Sequence, residues 1–188
     1  MWKQLRPALV LLALLTVVTG AIYPLIVTGL AQLAFPAQAN GSLVGHADSP
    51  AGSALIGQAN DDPRYFWPRP SATSYGTLPS GGSNLAPSSL ALAAAAGQRA
   101  ADFRATNGLA AGAPVPTEML FASASGLDPH ISPDAARLQV ARVAAARGLA
   151  EGQVAALVEA HVEGPQLSIL GQPRVNVLLL NLALDALE

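Results

Sequence analysis

The stretch SGLDPHISP, residues 125–133, brings together side-chain types that can perform acid–base and nucleophilic chemistry. Asp128 and His130 are two residues apart, with a serine on either side of the pair. A Ser-His-Asp hydrolase requires a nucleophile, a base within hydrogen-bonding reach and an oxyanion hole. The nucleophile-elbow pattern G-x-S-x-G is not present, because Ser123 stands where the first glycine would be. The other interpretation is structural, since Asp-Pro favours a turn and Ser132 can cap a helix opened by the proline that follows it.

We therefore predict a turn followed by a helix cap, and no catalytic residue. A membrane-anchored exported hydrolase that uses Asp128, His130 and a serine is the alternative function. Metal binding by this pair would need further ligands, and His46 and His161 stand at no recognisable ligand spacing. Cysteine is absent, which excludes thiolate catalysis and Cys-ligated zinc. We expect no metal site.

Two other motifs contain residues that suit ligand binding. Ser80, Gly81, Gly82 and Ser83 form a run whose amides could bind an anion, although such runs are most often plain turns. Arg64 and Arg69 flank three adjacent aromatic residues, 65–67. That pattern is typical either of a binding face with arginine stacked on aromatic rings or of a loop that packs on itself, and we favour the second.

The N-terminal region is a predicted membrane anchor. Residues 7–47 contain no Asp, Glu, Lys or Arg. Its core, 7–35, would form a helix of about 43 Å, enough to cross a hydrocarbon layer of roughly 30 Å. Lys3 and Arg6 precede this segment, so the positive-inside rule predicts a cytoplasmic N-terminus for 1–6 and an extracytoplasmic location for 36–188.

Small residues within this segment predict contact with a partner helix. Thr16, Gly20 and Gly29 permit close approach of a neighbouring helix, and we add Pro24 because it removes the hydrogen bond to the Gly20 carbonyl and favours a kink. Such residues are also ordinary in membrane helices, so the pattern supports a contact face and a plain anchor about equally.

The remaining 36–188 is predicted to be a small mixed domain, so that the fold class is α+β with one N-terminal transmembrane helix. Apolar runs bounded by turn residues indicate short strands, and capped alanine-rich runs indicate helices. The expected strands are 41–46, 52–58 and 165–170, and the expected helices are 90–106, 133–147, 151–164 and 174–188. In the last helix, Asn181, Asp185 and Glu188 are spaced to share one solvent-exposed side.

Charge composition excludes several classes of function. Lys3 is the only lysine, and it has no glycine-rich loop beside it, so an autonomous P-loop ATPase is excluded. The net charge of −2 provides no basic surface for nucleic acid.

Several long segments closely resemble the C subunit of the Kdp-type potassium-transporting P-type ATPase. They include TVVTGAIYPLIVTGLAQLAFPAQANGSL, YFWPRPSAT, SGGSNLAPS, SGLDPHISPDAARLQVARVAAARGL and GQPRVNVLLLNLAL, in order along nearly the whole chain. Ala59 departs from the aromatic residue that the family usually has after Gly-Gln. The resemblance implies an accessory subunit of a bacterial inner-membrane potassium pump, not catalytic by itself. The implied partners are a channel-like potassium-binding subunit and a P-type ATP-hydrolysing subunit.

The same resemblance implies a catalytic chaperone that raises the ATP affinity of the hydrolytic subunit. No firmly bound cofactor is expected. If ATP contacts this chain, Ser80, Gly81, Gly82 and Ser83 are the matching positions. The predicted topology conflicts with direct contact, because ATP is cytoplasmic and 36–188 is expected outside. An indirect effect through helix contacts that bias the pump's conformations is the simpler expectation.

Overall fold

The computed structural model describes residues 2–46 and 49–187 and divides the chain into two units, 1–43 and 44–188. The first unit is a long apolar helix. The second is a domain in which helices pack around a small antiparallel sheet. The combination of an N-terminal helix with a mixed helix-and-sheet domain confirms the α+β prediction.

The N-terminal helix is interrupted by one wide turn. Helix α1 (Trp2–Val17) continues through a π-helical turn (Val18–Ile22) into α2 (Tyr23–Ala34), and the short α3 (Pro36–Ala39) follows. The Tyr23 amide donates to the Val18 carbonyl, five residues back. Pro24 comes directly after, so the irregularity predicted at this proline is present as a widened turn. The described stretch Lys3–Ala34 is long and apolar enough to cross a membrane.

Within the described residues, the domain contains a hairpin, five α-helices and a three-stranded sheet. Strand β1 (Leu43–His46) pairs with β2 (Ser49–Ser53), and a three-residue 3₁₀ turn lies at Thr117–Met119. The helices are α4 (Leu90–Thr106), α5 (Pro133–Arg137), α6 (Val140–Arg147), α7 (Glu151–Ala160) and α8 (Val177–Asp185). The second sheet has the order β3 (His130–Ile131), β5 (Arg174–Asn176), β4 (Val162–Glu163), all antiparallel.

Apolar side chains from α5 to α8 and from the central strand form the core. Val175 lies opposite both Ile131 and Val162 in the sheet, and it is fully buried in one cluster with apolar side chains of α5 to α8. The fully buried apolar side chains of largest volume are Phe66, Val143, Val154, Val158, Val175, Leu180 and Leu184. All of these residues except Phe66 lie in helices or strands. Phe66 belongs to a loop and is nevertheless fully buried in the core.

Serine side chains cap the start of two helices of the domain, and a glycine ends a third. Ser89 accepts a hydrogen bond from the Leu92 amide at the start of α4, and Ser132 accepts one from the Ala135 amide at the start of α5. Gly148 ends α6 with φ of 68°, a left-handed conformation that glycine adopts without a steric cost. The predicted helix 133–147 is nevertheless two helices, because at Gln139 the amide donates to the Ala136 carbonyl, only three residues back.

Two strand predictions were wrong. The strand expected at 52–58 ends at Ser53, because the Ser53 hydroxyl accepts from the Leu55 amide and turns the chain. The residues expected to form the turn between these two strands, 48–52, lie largely in strand β2, and residues 47 and 48 are outside the described part of the chain. The strand expected at 165–170 is a reversal, since Leu167 and Ser168 have φ of 53° and 63°. The pairing residues lie on either side of it, in β4 and β5, at the ends of what sequence alone assigned to helices.

Candidate functional site

Asp128 and His130 are part of a turn that joins β3 to the loop before it. One Asp128 carboxylate oxygen accepts a hydrogen bond from the His130 amide at 3.0 Å, and the other accepts from Arg69 at 2.7 Å. The His130 ring nitrogen Nδ1 lies 3.5 Å from the same carboxylate. The Ser132 hydroxyl caps α5 and donates to the Glu118 carboxylate. The turn-and-cap prediction is therefore confirmed.

The hydrolase alternative lacks its central contact. Within residues 2–46 and 49–187, no serine or threonine hydroxyl forms a hydrogen bond with the His130 ring, so the nucleophile–base pair of a triad is not assembled. Among the same residues, no three His, Cys, Asp or Glu side chains come close enough together to hold a metal ion.

Ser80, Gly81, Gly82 and Ser83 form an extended, mostly exposed segment that runs beside the turn at 123–126. A Cβ on Gly82 would lie 3.3 Å from the Ala124 carbonyl oxygen. Neither glycine has a left-handed φ, whereas an anion nest alternates left- and right-handed residues. The four amides donate to no oxygen of the described chain. They are thus open to a ligand but do not converge as a preformed nest, and nucleotide binding here stays a prediction.

The aromatic loop is held by polar side chains that bind its backbone. Asn181 bonds both backbone groups of Phe66, accepting from its amide at 2.8 Å and donating to its carbonyl at 3.0 Å. The Gln139 side-chain oxygen accepts from the Trp67 amide at 2.7 Å. Arg142 donates to the carbonyls of residues 63 and 65, at 2.6 and 3.0 Å. We call Gln139, Arg142 and Asn181 the backbone clamp. The prediction of a self-packing loop is confirmed.

Arginines stack on the aromatic rings of this loop from inside the domain. The Arg142 guanidinium lies 4.5 Å from the Trp67 ring centroid, and that of Arg147 lies 4.6 Å from the Tyr65 ring. Arg147 also donates to Asp185 at 2.6 Å with its side chain only 3% exposed. Of the two arginines that the sequence singled out, Arg64 pairs with Asp62 and also lies 5.9 Å from the Tyr65 ring centroid, whereas Arg69 pairs with Asp128 as described.

Three residues around the loop have shifted pKa values. The hydrogen bond from the Arg64 side chain lowers the pKa of Asp62 to about 2. Burial raises the pKa of Tyr75 to about 12, because the phenolate would lose hydration. Burial lowers the pKa of Arg142 to about 10, and the residue remains charged at neutral pH. The loop is consequently fixed by charged groups at physiological pH.

The sequence reasoning missed the backbone clamp and misplaced one of its members. Asn181 was expected on a solvent-exposed side of the last helix, but it is 8% exposed. Gln139 is fully buried, and Arg142 is 9% exposed. The available signal was that these polar residues stand among the apolar positions of α6 and α8, where a buried polar group needs a partner. Asp185 does lie on an exposed side, and Glu188 is outside the described residues.

The positions predicted to contact a partner helix are exposed on the apolar helix. Thr16, Gly20 and Pro24 are four residues apart, and the wide turn reduces the twist between them, which brings them closer to one line along the helix. Gly29 lies about 140° around the helix from Pro24 at 3.6 residues per turn. A Cβ at Gly20 or Gly29 would meet nothing within 4 Å. Contact at these positions is untested by the single chain.

An apolar helix long enough to cross a membrane, followed by an α+β domain, defines a candidate single-span membrane protein. The chain belongs to the family described as KdpC, K⁺-transporting ATPase c chain, whose model matches residues 5–186.

The similarity extends over full-length relatives. The chain is 57% identical to the potassium-transporting ATPase KdpC subunit of Sorangium cellulosum strain So ce56, with 98% of each chain covered. It is 49% identical to the KdpC subunit of Geobacter sulfurreducens, again over 98% of both. The KdpC subunit of Variovorax paradoxus strain S110 is 56% identical, with 97% of this chain and 95% of the relative covered.

Proposed function

We propose that this chain is the accessory, non-hydrolytic subunit of a high-affinity ATP-driven potassium uptake pump, needed for its assembly and activity. The observation that carries this proposal is the family match over residues 5–186, supported by relatives named as KdpC subunits along their whole length. The partners are a channel-like potassium-binding subunit and a P-type subunit that hydrolyses ATP.

The lysine content supports the non-hydrolytic role. A P-type pump forms its aspartyl phosphate on an Asp-Lys-Thr-Gly motif, and the only lysine here, Lys3, follows a tryptophan. The chain cannot contain that motif, so the phosphorylated aspartate belongs to a different subunit.

The charge distribution supports an orientation with the N-terminus in the cytoplasm and the domain on the outer face of the inner membrane. Lys3 and Arg6 precede the apolar helix, and Asp48 is the next acidic or basic residue in the chain. In this orientation, the domain and cytoplasmic ATP lie on opposite sides of the bilayer. Raised ATP affinity of the hydrolytic subunit is then an indirect effect, transmitted by the membrane helix to the pump's conformational equilibrium.

The line of Thr16, Gly20 and Pro24 is the proposed contact with a partner helix. Small residues allow two helix backbones to approach closely, and a bulky side chain in the line would separate them. Gly29 then contacts a different neighbour, because it lies on another side of the helix. The contact tested here is therefore the line through Gly20 alone, and Gly29 is not part of it.

The test compares Gly20→Leu with Val18→Phe, a bulk-increasing control about half a turn away. Each full-length variant is co-expressed with the two partner subunits, and co-purification and the ATP dependence of potassium-stimulated hydrolysis are measured. We expect Gly20→Leu to lower partner recovery and to raise the ATP concentration for half-maximal activity, with Val18→Phe close to wild type. Equal behaviour of both variants would reject the contact line. A wild-type chain that recovers neither partner would reject the subunit role.

A reporter at the C-terminus tests the orientation separately. Alkaline phosphatase fused there is active only outside the cytoplasm, so activity supports the indirect effect. An inactive alkaline phosphatase together with a fluorescent GFP fusion would put the domain in the cytoplasm. Direct nucleotide contact at Ser80, Gly81, Gly82 and Ser83 would then become the better hypothesis.

A further inference from the structure

The domain carries an aromatic groove that its own chain leaves open. Its walls are the side chains of Trp67, Pro68, Pro70, Tyr75, Phe103 and Met119, and it encloses about 390 Å³. Pro68, Phe103 and Met119 are buried and form the floor, while the other three are half-buried at the sides. A concave, mainly apolar surface of this kind is what a recognised side chain requires.

The polar atoms of the groove's aromatic residues are bonded within the loop. The Trp67 indole N–H donates to the Asp62 carbonyl at 3.0 Å, and the Tyr75 hydroxyl donates to the Arg69 carbonyl. Both rings are therefore fixed, and what remains for a ligand is their apolar surface. A preformed aromatic surface binds with little loss of side-chain entropy.

Acidic residues lie at the rim of this groove. Asp61 and Asp102 are both exposed, and no ion pair involves either of them within the described residues. Asp102 accepts one hydrogen bond from Gln98, at 2.8 Å. The single cation of the lining, Arg99, donates to the Leu120 carbonyl at 2.8 Å. The rim has two carboxylates against one guanidinium, which favours a cationic group on the ligand.

The charge of the rim argues for a protein segment from another molecule. Asp61 and Asp102 favour a segment that carries a basic side chain. The acidic rim also disfavours an anionic lipid surface. Proline and aromatic walls suit an extended peptide, because a polyproline-type backbone presents side chains without needing sheet or helix partners.

We propose that the aromatic groove binds an extended loop of a partner pump subunit, with a proline or aliphatic side chain in the groove and an adjacent lysine or arginine between Asp61 and Asp102. This inference rests on the proposed function, since the partner is a subunit of the same pump on the same side of the membrane. It assigns the domain a docking role that is separate from the contact line on the membrane helix.

Reversing the charge of the rim tests the groove. The double variant Asp61→Lys with Asp102→Lys changes two exposed side chains of the lining. The double variant Asp134→Lys with Glu151→Lys, at exposed positions that do not line the groove, is the control with the same change in net charge. Circular dichroism of each purified full-length variant checks that the fold is retained.

The measurement is the recovery of both partner subunits by the tagged full-length chain after a wash at moderate salt. We expect the charge reversal of the rim to lower recovery about tenfold or more, because like charges would then meet, with the control pair unchanged. Wild-type recovery by the rim variant would overturn the groove proposal. If the wild-type chain itself recovers no partner, the subunit proposal fails instead, so the two failures are distinguishable.

A photo-crosslinking amino acid in place of Ala59 identifies the occupant in the purified complex. The expected product joins Ala59 to a partner loop that contains an apolar residue next to a lysine or arginine, located by mass spectrometry. A product with phospholipid, together with unchanged partner recovery, would show that the groove faces the bilayer and would overturn the proposal.

Discussion

Replacing Asn181 by leucine tests whether the backbone clamp stabilises the domain. Asn181 is 8% exposed and bonds the Phe66 amide and carbonyl at 2.8 and 3.0 Å. Leucine has nearly the same volume, so the change leaves little cavity and isolates the loss of hydrogen bonds. Both backbone groups of Phe66 would remain buried without a partner.

The expected cost follows from those two groups. Each unsatisfied buried backbone group costs about 1–3 kcal/mol. Burial of the leucine side chain offsets about 1–2 kcal/mol of this total. With about 2 kcal/mol for each group and about 1.5 kcal/mol for the offset, the net loss in the free energy of unfolding is about 2.5 kcal/mol, a large part of the roughly 5–15 kcal/mol that is typical of a folded domain. For a domain of this size, the loss corresponds to a decrease in Tm of about 5–15 °C.

The assay is thermal and urea unfolding of the full-length protein in detergent, followed by circular dichroism and by the fluorescence of Trp67, which borders the clamped segment. The control is Gln98→Leu, which removes an exposed hydrogen bond between Gln98 and Asp102. We expect it to change stability by less than about 0.5 kcal/mol. An Asn181→Leu variant that unfolds within about 1 °C of wild type would refute the clamp.

The remaining predictions concern pH, backbone strain and core packing. Burial raises the pKa of Tyr75 from 10 to about 12 in the folded protein, so the same tyrosine in the unfolded chain loses its proton first as the pH rises. The free energy of unfolding should therefore decrease between pH 10 and 12. Alkaline unfolding should show this decrease, and Tyr75→Phe should abolish it. Gly126 has φ of 71°, and a Cβ there would lie 2.7 Å from the Thr73 hydroxyl and 2.8 Å from the Gly81 carbonyl. Gly126→Ala should cost about 1–3 kcal/mol in unfolding free energy and increase proteolysis near Gly81, and an unchanged cleavage pattern would contradict this. Leu180→Ala, at a fully buried site, should lower the unfolding free energy by about 2–5 kcal/mol, and a loss below 1 kcal/mol would show that the core collapses around the site.

Local signals in the sequence were sufficient for the long elements. Ser132 predicted where α5 begins, because a capping hydroxyl acts on the backbone beside it, and the expected helix 90–106 matches the bounds of α4. The long N-terminal helix could be predicted because residues 7–35 are mostly apolar and contain no charged residue. The turn at Asp128 was predicted correctly for the same reason, since its hydrogen bond to the His130 amide spans only two residues.

Long-range contacts could not be predicted in the same way. Asn181 is 115 residues from Phe66, and Gln139 is 72 residues from Trp67, so no local pattern reveals that these side chains bind the loop. The short strands β3, β4 and β5 are two or three residues long, too short for an alternating pattern to distinguish them from helix ends. The aromatic groove could not be predicted either, because its lining residues come from segments that are distant in the sequence.

The backbone clamp has a consequence for how this family can diversify. Gln139, Arg142 and Asn181 bond main-chain atoms of the loop, which every amino acid supplies. Outward-facing side chains of the loop can therefore be exchanged without loosening its attachment. Selection can therefore change the exposed side chains of the loop while its backbone attachment stays the same, as antibody domains keep their framework while their loops vary.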